Sequence, residues 1–255
     1  MEHVVCIIQA RMGSSRLPGK VLKDICGKPM LGWVVERVKQ CGNVGQVLVA
    51  TTVDPGDDPI VEFCQAQAID CFRGNIFDVL DRYYQAALHY RADVVVRVTA
   101  DCPLIDPQVV DRTIEELQAR KLDFCANRLP PPYKRTYPIG LDVEVATMPA
   151  LTEAWENAIE PHEREHVMPY LYAGARKFKT GVIDAEADHG SQRWTVDTPE
   201  DLDFVRKIAE LLNCRMDFNW HDVLALVQAH PELAQINAGV QHKFMKEIDG
   251  RANGK

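Results

Sequence analysis

Residues 92–99 form a nearly unbroken run of apolar and β-branched side chains that ends in Ala100-Asp101-Cys102-Pro103. Such a run reads as a central strand buried on both faces. This points to an α/β chain with a mostly parallel sheet flanked by helices. In open sheets of that class, ligands collect at the carboxyl ends of the strands. Asp101 stands at such an end and is a candidate site residue. Its alternative reading is a turn former before proline. Asp106 fits that structural reading better, because it precedes Pro107 and a helix reaching about residue 120.

A second strand of this kind opens the chain. Residues 3–8 read as a buried strand that breaks into Gln9-Ala10-Arg11-Met12-Gly13-Ser14-Ser15-Arg16-Leu17-Pro18-Gly19-Lys20. Glycines let backbone N–H groups approach an anion, Ser14 and Ser15 add hydroxyl donors, and Arg11, Arg16 and Lys20 add charge. The chain as a whole carries a net charge of -8. That excess of acid argues against nonspecific nucleic-acid binding and makes a basic loop informative. The loop reads as a polyphosphate holder, with a solvated basic turn as the alternative. It is not a P-loop, since Val21 follows Lys20, and the dinucleotide glycine fingerprint is absent.

Further elements follow in order. Helical spacing is expected over 30–40, a strand over 46–50, a helix over 58–68 and a short strand over 69–72. A helix starts near Asp78 and runs to about residue 90. Four prolines make 129–138 an irregular flap. Residues 140–145 alternate, with Leu141, Val143 and Val145 on one side and Asp142 and Glu144 on a wet one. Helices are expected over 149–159 and from His162, and strands over 178–183 and 193–196. Thr198-Pro199-Glu200-Asp201 has the makings of a capped helix start, which leaves Asp197 without a structural role. A helix over 219–229 and a mobile polar tail end the chain. His162-Glu163-Arg164-Glu165-His166 spells the zinc pattern His-Glu-x-x-His, with Glu186 as a conceivable third ligand. Pro169 and the missing extended signature count against zinc.

Eight cysteines without a Cys-x-x-Cys pair are expected as reduced thiols rather than a disulfide frame. No apolar run approaches a membrane span, and the opening residues lack a signal-peptide pattern. A cytoplasmic protein without membrane or nucleic-acid partners is expected.

Ala10-Arg11-Met12-Gly13-Ser14-Ser15-Arg16-Leu17-Pro18-Gly19-Lys20 resembles the signature of sugar nucleotidyltransferases that activate acidic sugars with CTP. The chain is most similar to the spore coat polysaccharide biosynthesis type of cytidylyltransferase, and more distantly to the 3-deoxy-manno-octulosonate and acylneuraminate cytidylyltransferases. Four later stretches extend the resemblance: Arg73-Gly74 with Asp78 to Tyr84, Asp101-Cys102-Pro103, Gly140 to Glu144, and Val196 to Leu202. The resemblance implies a single Rossmann-like nucleotide-diphospho-sugar transferase domain with a mixed, mostly parallel sheet, over residues 1–212. Residues 128–175 would then carry the flap, acceptor and dimer region, and 213–255 a helical extension and tail.

It also implies roles. Ala10, Arg11, Gly13, Ser14, Ser15, Arg16 and Lys20 bind the nucleotide phosphates, with Arg73 and Asp78 near the base and ribose. Asp101 and Asp197 become Mg²⁺ ligands, although Thr195 stands where acylneuraminate enzymes have another Asp. Asp142, Glu144, Arg164 and His166 are placed at the acceptor. The expected reaction joins CTP and an acidic sugar into a CMP-sugar and pyrophosphate, with Arg11, Lys20, Asp101 and Asp197 catalytic and the enzyme a homodimer. Two alternatives stay open: a glycosyltransferase that uses a nucleotide sugar, and a non-catalytic nucleotide-binding module.

Overall fold

The computed structural model describes residues 2–129, 135–173 and 177–241. Residues 130–134 of the expected flap and the polar tail from residue 242 lie outside them. The main sheet has seven strands: β1 (Val4–Gln9), β4 (Gln46–Thr52), β5 (Asp70–Gly74), β6 (Val94–Thr99), β7 (Phe124–Ala126), β8 (Glu144–Thr147) and β9 (Thr180–Val182). Their order across the sheet is β5-β4-β1-β6-β8-β7-β9. Pairing is parallel except that β8 runs antiparallel to both neighbours. β2 (Asp24–Ile25) and β3 (Lys28–Pro29) make a separate small hairpin.

Alternation along the strands divides the interior. Val4, Cys6, Ile8, Val94, Val96 and Val98 point into one apolar cluster, while Val5, Ile7 and Val95 point into the other. Helices α1 (Met30–Val38), α2 (Asp58–Ala66), α4 (Pro107–Arg120), α8 (Pro199–Leu211) and α9 (Trp220–Ala229) contribute to the first cluster. Helices α3 (Val79–His89) and α5 (Met148–Asn157) contribute to the second. Three short helices, α6 (Pro161–His166), α7 (Pro169–Tyr172) and α10 (Leu233–Ile236), complete the set. The apolar stripes of these helices therefore cover both faces of the sheet, which is why its central strands carry continuous apolar runs.

The extension after residue 212 is packed into this frame. Phe218, Trp220, Val223 and Leu233 are buried in the first cluster. The fully buried Arg37 donates to the carbonyls of Ile105, Met216 and Phe218, and its guanidinium lies 3.6 Å from the Phe218 ring centroid. Asp106 caps α4 through the Gln108 N–H, as expected, and also accepts from the Trp220 N–H at 2.6 Å.

Three expectations are corrected. Cys26, in the β2–β3 turn, and Cys214, just after α8, form a disulfide with Cα atoms 5.9 Å apart. The other six cysteines are free thiols. The fold, not the local sequence, brings together two residues 188 apart. Second, the strand expected over 140–145 begins at Glu144, and residues 141–143 lie outside any strand. Third, Glu144 is 2% exposed and paired with Arg97. The wet face does not exist there because β8 is flanked by β6 and β7 and covered on both sides.

Candidate active site

β1 has β4 on one side and β6 on the other. The chain thus leaves β1 at a point where the strand order reverses, the usual crevice for a ligand in such sheets. Residues 10–23 fill that crevice. The Ala10 N–H donates to the Ala50 carbonyl, and the Gly19 N–H closes the loop on the Met12 carbonyl at 3.0 Å. Gly19 has φ +66°, a left-handed conformation that suits glycine. Ser14 Oγ accepts from the Leu17 N–H.

The loop ends with Lys20 pointing between two carboxylates. Its Nζ donates to Asp101 Oδ2 at 2.8 Å, to Asp197 Oδ1 at 2.9 Å and to the Val196 carbonyl at 2.8 Å. Asp197 Oδ2 also meets Arg16 Nη2 at 3.0 Å and Arg193 Nη2 at 2.8 Å. Asp101 is steadied by the Thr99 hydroxyl, which donates to Oδ1 at 2.5 Å. The Val196 N–H and the Thr195 hydroxyl donate to the Asp101 carbonyl. These two bonds hold the approaches to Asp101 and Asp197 side by side.

Electrostatics follow from this packing. Burial raises the Asp197 carboxyl, but Lys20, Arg193 and Arg16 outweigh it and hold the group well below the ordinary carboxylate range. Burial lowers the Lys20 ammonium, while Asp101 and Asp197 more than restore it, to above the ordinary lysine value. Both groups are charged at neutral pH. The two carboxylates and a carbonyl oxygen converge on one cation. A donor set of this kind fits Mg²⁺, which takes one or two carboxylates and completes its shell with phosphate and water oxygens. Among the described residues, no group of three or more His, Cys, Asp or Glu side chains is arranged for a metal ion. His162 and His166 lie near the two ends of the six-residue α6.

A second set of contacts flanks this centre. Asp78 caps α3 through the Asp81 N–H, and its carboxylate receives the Arg164 guanidinium, with Nε at 3.0 Å from Oδ2. Arg164 Nη1 donates to the Trp155 carbonyl. Two residues assigned to opposite ends of the substrate, one to the nucleotide and one to the acceptor, are thus in direct contact. His166 ends α6, and its carbonyl accepts the Met168 N–H across Val167, which has φ +72°. A β-branched residue in that conformation is strained. Arg97 bridges Glu144 and Gln9 Oε1, and Asp142 is paired with Arg135 and lies near Arg128.

The family model for cytidylyltransferases matches residues 5–222. The chain belongs to the cytidylyltransferase family. The spore coat polysaccharide biosynthesis protein SpsF of Bacillus subtilis is 29% identical over 241 residues, covering 92% of this chain and 98% of that protein. A 3-deoxy-manno-octulosonate cytidylyltransferase of Anaeromyxobacter dehalogenans is 29% identical over 243 residues, covering 82% and 98%. A solved cytidylyltransferase structure from Leptospira borgpetersenii superposes with a TM-score of 0.87 at 32% identity, covering 95% of this chain and 100% of that one. This cytidylyltransferase is accordingly a nucleotidyltransferase with the expected mixed, mostly parallel sheet.

Asp57 and Arg193, which the sequence does not single out, support the candidate site of this cytidylyltransferase. Asp57, 4% exposed, accepts the Met12 N–H at 2.7 Å and so anchors the basic loop from below. Arg73, expected near the base, binds the carbonyls of Thr52 and Asp54 and the carboxylate of Asp58. It thereby secures the turn that carries Asp57. The strand expected over 193–196 is reduced to a single bridge between Arg193 and Ile139, and the Arg193 side chain joins Asp197 to Asp201. Acidic turn residues are too common for sequence to single out Asp57. Arg193 does stand beside the Val196–Leu202 motif, a signal that could have drawn attention to it. Asp201-Leu202-Asp203, the one metal-type pair open to a glycosyltransferase, lies within α8 with Asp201 fully buried and Asp203 exposed.

Proposed function

We propose that this cytidylyltransferase joins CTP to an acidic sugar, giving a CMP-sugar and pyrophosphate for surface polysaccharide biosynthesis. The observation that carries the reading is the convergence of Lys20, Asp101 and Asp197 at the end of the basic loop. The acidic acceptor is drawn from the relatives' names. Mg²⁺ held by Asp101 and Asp197 would neutralise phosphate charge and lower the pKa of the attacking hydroxyl.

The chain's own residues then do the following. The backbone of residues 10–19 and the side chains of Arg11 and Arg16 grip the β and γ phosphates and receive the leaving pyrophosphate. Lys20 balances the two carboxylates in the absence of the cation and joins Arg11 and Arg16 on the β and γ phosphates in its presence. Arg164 and Asp78 fix the segment that meets the acceptor. Positioning and charge stabilisation carry most of such a transfer, so no separate general base is assigned. A cytoplasmic homodimer is part of the same proposal. The 84% exposed Ile159 and 56% exposed Phe77, close in sequence to Arg164 and Asp78, support an interface there. Among the described residues, no helix is long and apolar enough to cross a membrane.

The test is pyrophosphate release with each of CTP, UTP, ATP and GTP, with and without Mg²⁺, across 3-deoxy-manno-octulosonate, N-acetylneuraminate and neutral sugars. CTP-selective, Mg²⁺-dependent release is expected, with losses of about 100-fold or more in Asp101→Asn and Asp197→Asn. Release of a nucleoside diphosphate, or no stabilisation by any triphosphate, would sink the reading.

A further inference from the structure

The carboxylate Asp197 is held by a chain of contacts that ends outside the family-matched stretch. Arg193 donates Nη2 to Asp197 Oδ2 at 2.8 Å, and Nε and Nη2 to Asp201 Oδ1 and Oδ2, each at 2.9 Å. Asp201, which is fully buried, also accepts the Asp197 N–H at 2.9 Å and the Thr198 N–H at 3.1 Å. Its remaining support comes from Asn237. The Asn237 amide nitrogen donates to Asp201 Oδ1 and to the Arg193 carbonyl, both at 3.0 Å. Asn237 is 6% exposed. The family match ends at residue 222, so this support belongs to the extension.

An asparagine is suited to the position. Its two N–H groups satisfy one carboxylate oxygen and one carbonyl at once, without adding charge beside an Arg–Asp pair. The segment is seated independently of that contact, because Leu233, 2% exposed, packs into the apolar core. The same segment also shapes the mouth of the site. A groove of about 520 Å³ is lined by Arg16 and Glu200 together with Ile236 and Val240. Arg16 is both a wall of this groove and a direct partner of Asp197.

We infer that Asn237 is a positioning residue for the nucleotidyl-transfer site. It fixes Asp201 and Arg193, and through Arg193 it sets the Asp197 carboxylate toward the cation and phosphates. Through Asn237, the extension therefore supports the active site. This rests on the nucleotidyltransferase reading of Asp101 and Asp197.

The experiment compares wild type with Asn237→Ala, with the uncharged and similarly sized Asn237→Leu, and with Gln235→Ala as an exposed control on the same segment. Thermal unfolding is followed without ligand, with CTP, and with CTP plus Mg²⁺. Pyrophosphate release from CTP with 3-deoxy-manno-octulosonate is followed against Mg²⁺ and CTP concentration. In both Asn237 variants, the additional stabilisation by Mg²⁺ over CTP alone should shrink. The Mg²⁺ concentration for half-maximal rate should rise about 10-fold and kcat should fall about as much, with KM for CTP changed less than about threefold. Gln235→Ala should match wild type. If the Asn237 variants lose melting temperature without ligand yet keep the full Mg²⁺-dependent shift and Mg²⁺ response, the residue is structural and the inference is overturned. Asn237→Leu, which leaves no cavity, decides the matter if Asn237→Ala does not fold. Should wild type itself be neither stabilised by CTP with Mg²⁺ nor active, the nucleotidyltransferase reading fails, and this inference falls with it.

Discussion

Lys20 Nζ lies 2.9 Å from Asp197 Oδ1, although 177 residues separate the two in the chain. The same ammonium lies 2.8 Å from Asp101, so Lys20 fills the place between the carboxylates that a divalent cation would take. Lys20→Met should leave two facing carboxylates without that counter-charge. A loss of about 1–3 kcal/mol is expected, less than for a fully buried pair because these side chains are partly solvated. That corresponds to a fall in melting temperature on the order of 5 °C. Mg²⁺ alone should recover more of the melting temperature in the variant than it adds to wild type, while pyrophosphate release falls at least about 100-fold. Equal responses to Mg²⁺ would argue that Lys20 and the cation do not share this position.

The pH dependence of the pair has a defined sign. Asp197 is held below its ordinary value, with burial opposed by Lys20, Arg193 and Arg16. Its contribution to stability is present above the unfolded carboxyl value of about 3.9 and is lost as pH falls below it. Lys20 is raised, with burial opposed by Asp101 and Asp197, so its contribution is present below about pH 10.4 and is lost above that. The melting-temperature difference between wild type and Asp197→Asn should be flat from about pH 5 to 9 and shrink below about pH 4. A difference that grows on acidification would contradict the assignment of Asp197 as the depressed group.

Asp78 and Arg164 join the start of α3 to α6 across 86 residues. Asp78→Asn and Arg164→Gln, alone and together, should give a double-mutant coupling of about 0.5–3 kcal/mol in unfolding. Arg164→Gln should raise KM for the acceptor more than KM for CTP. A coupling near zero would mean that the pair is only a surface contact.

Cys26–Cys214 closes a loop spanning 188 residues. Reduction, or Cys214→Ser, should lower stability by about 2–4 kcal/mol, which is on the order of 10 °C in melting temperature. Denaturation without reductant should expose six alkylatable thiols and with reductant eight, in line with the bonded pair and six free cysteines. Eight thiols without reductant would remove the disulfide from the protein as isolated.

The sequence was most legible where a residue's role is declared by its neighbours. The 92–99 run ends at Asp101, and the helix-start residues around Thr198 account for everything except Asp197. Both inferences need only strand burial and capping chemistry. The basic loop was legible because its charge contrasts with an acidic chain. What stayed hidden depends on contacts across the fold. The hairpin strands β2 and β3 have two residues each, and β7 has three, too few for a periodic signal. Asp57, Arg193 and Asn237 act through partners 4 to 45 residues away. Glu144 shows the limit of alternation. The period correctly separated it from Val143 and Val145, but it cannot tell solvent from a buried arginine.

One reversed strand changes what the rim of the sheet can display. In a wholly parallel sheet, the ligand edge receives only segments that are departing from strands. β8 arrives at that edge, with its first residue, Glu144, opposite Arg97 near the end of β6. The described residues leading into β8, 135–143, therefore form an incoming segment on the side of the outgoing segments that carry Lys20 and Asp101. Changes of length or composition there can remodel what the rim offers a second substrate, while the hydrogen-bonded register of β4, β1 and β6 stays as it is. The reversal sets the segment that enters β8 and the segments that leave β1 and β6 side by side on one rim of the sheet.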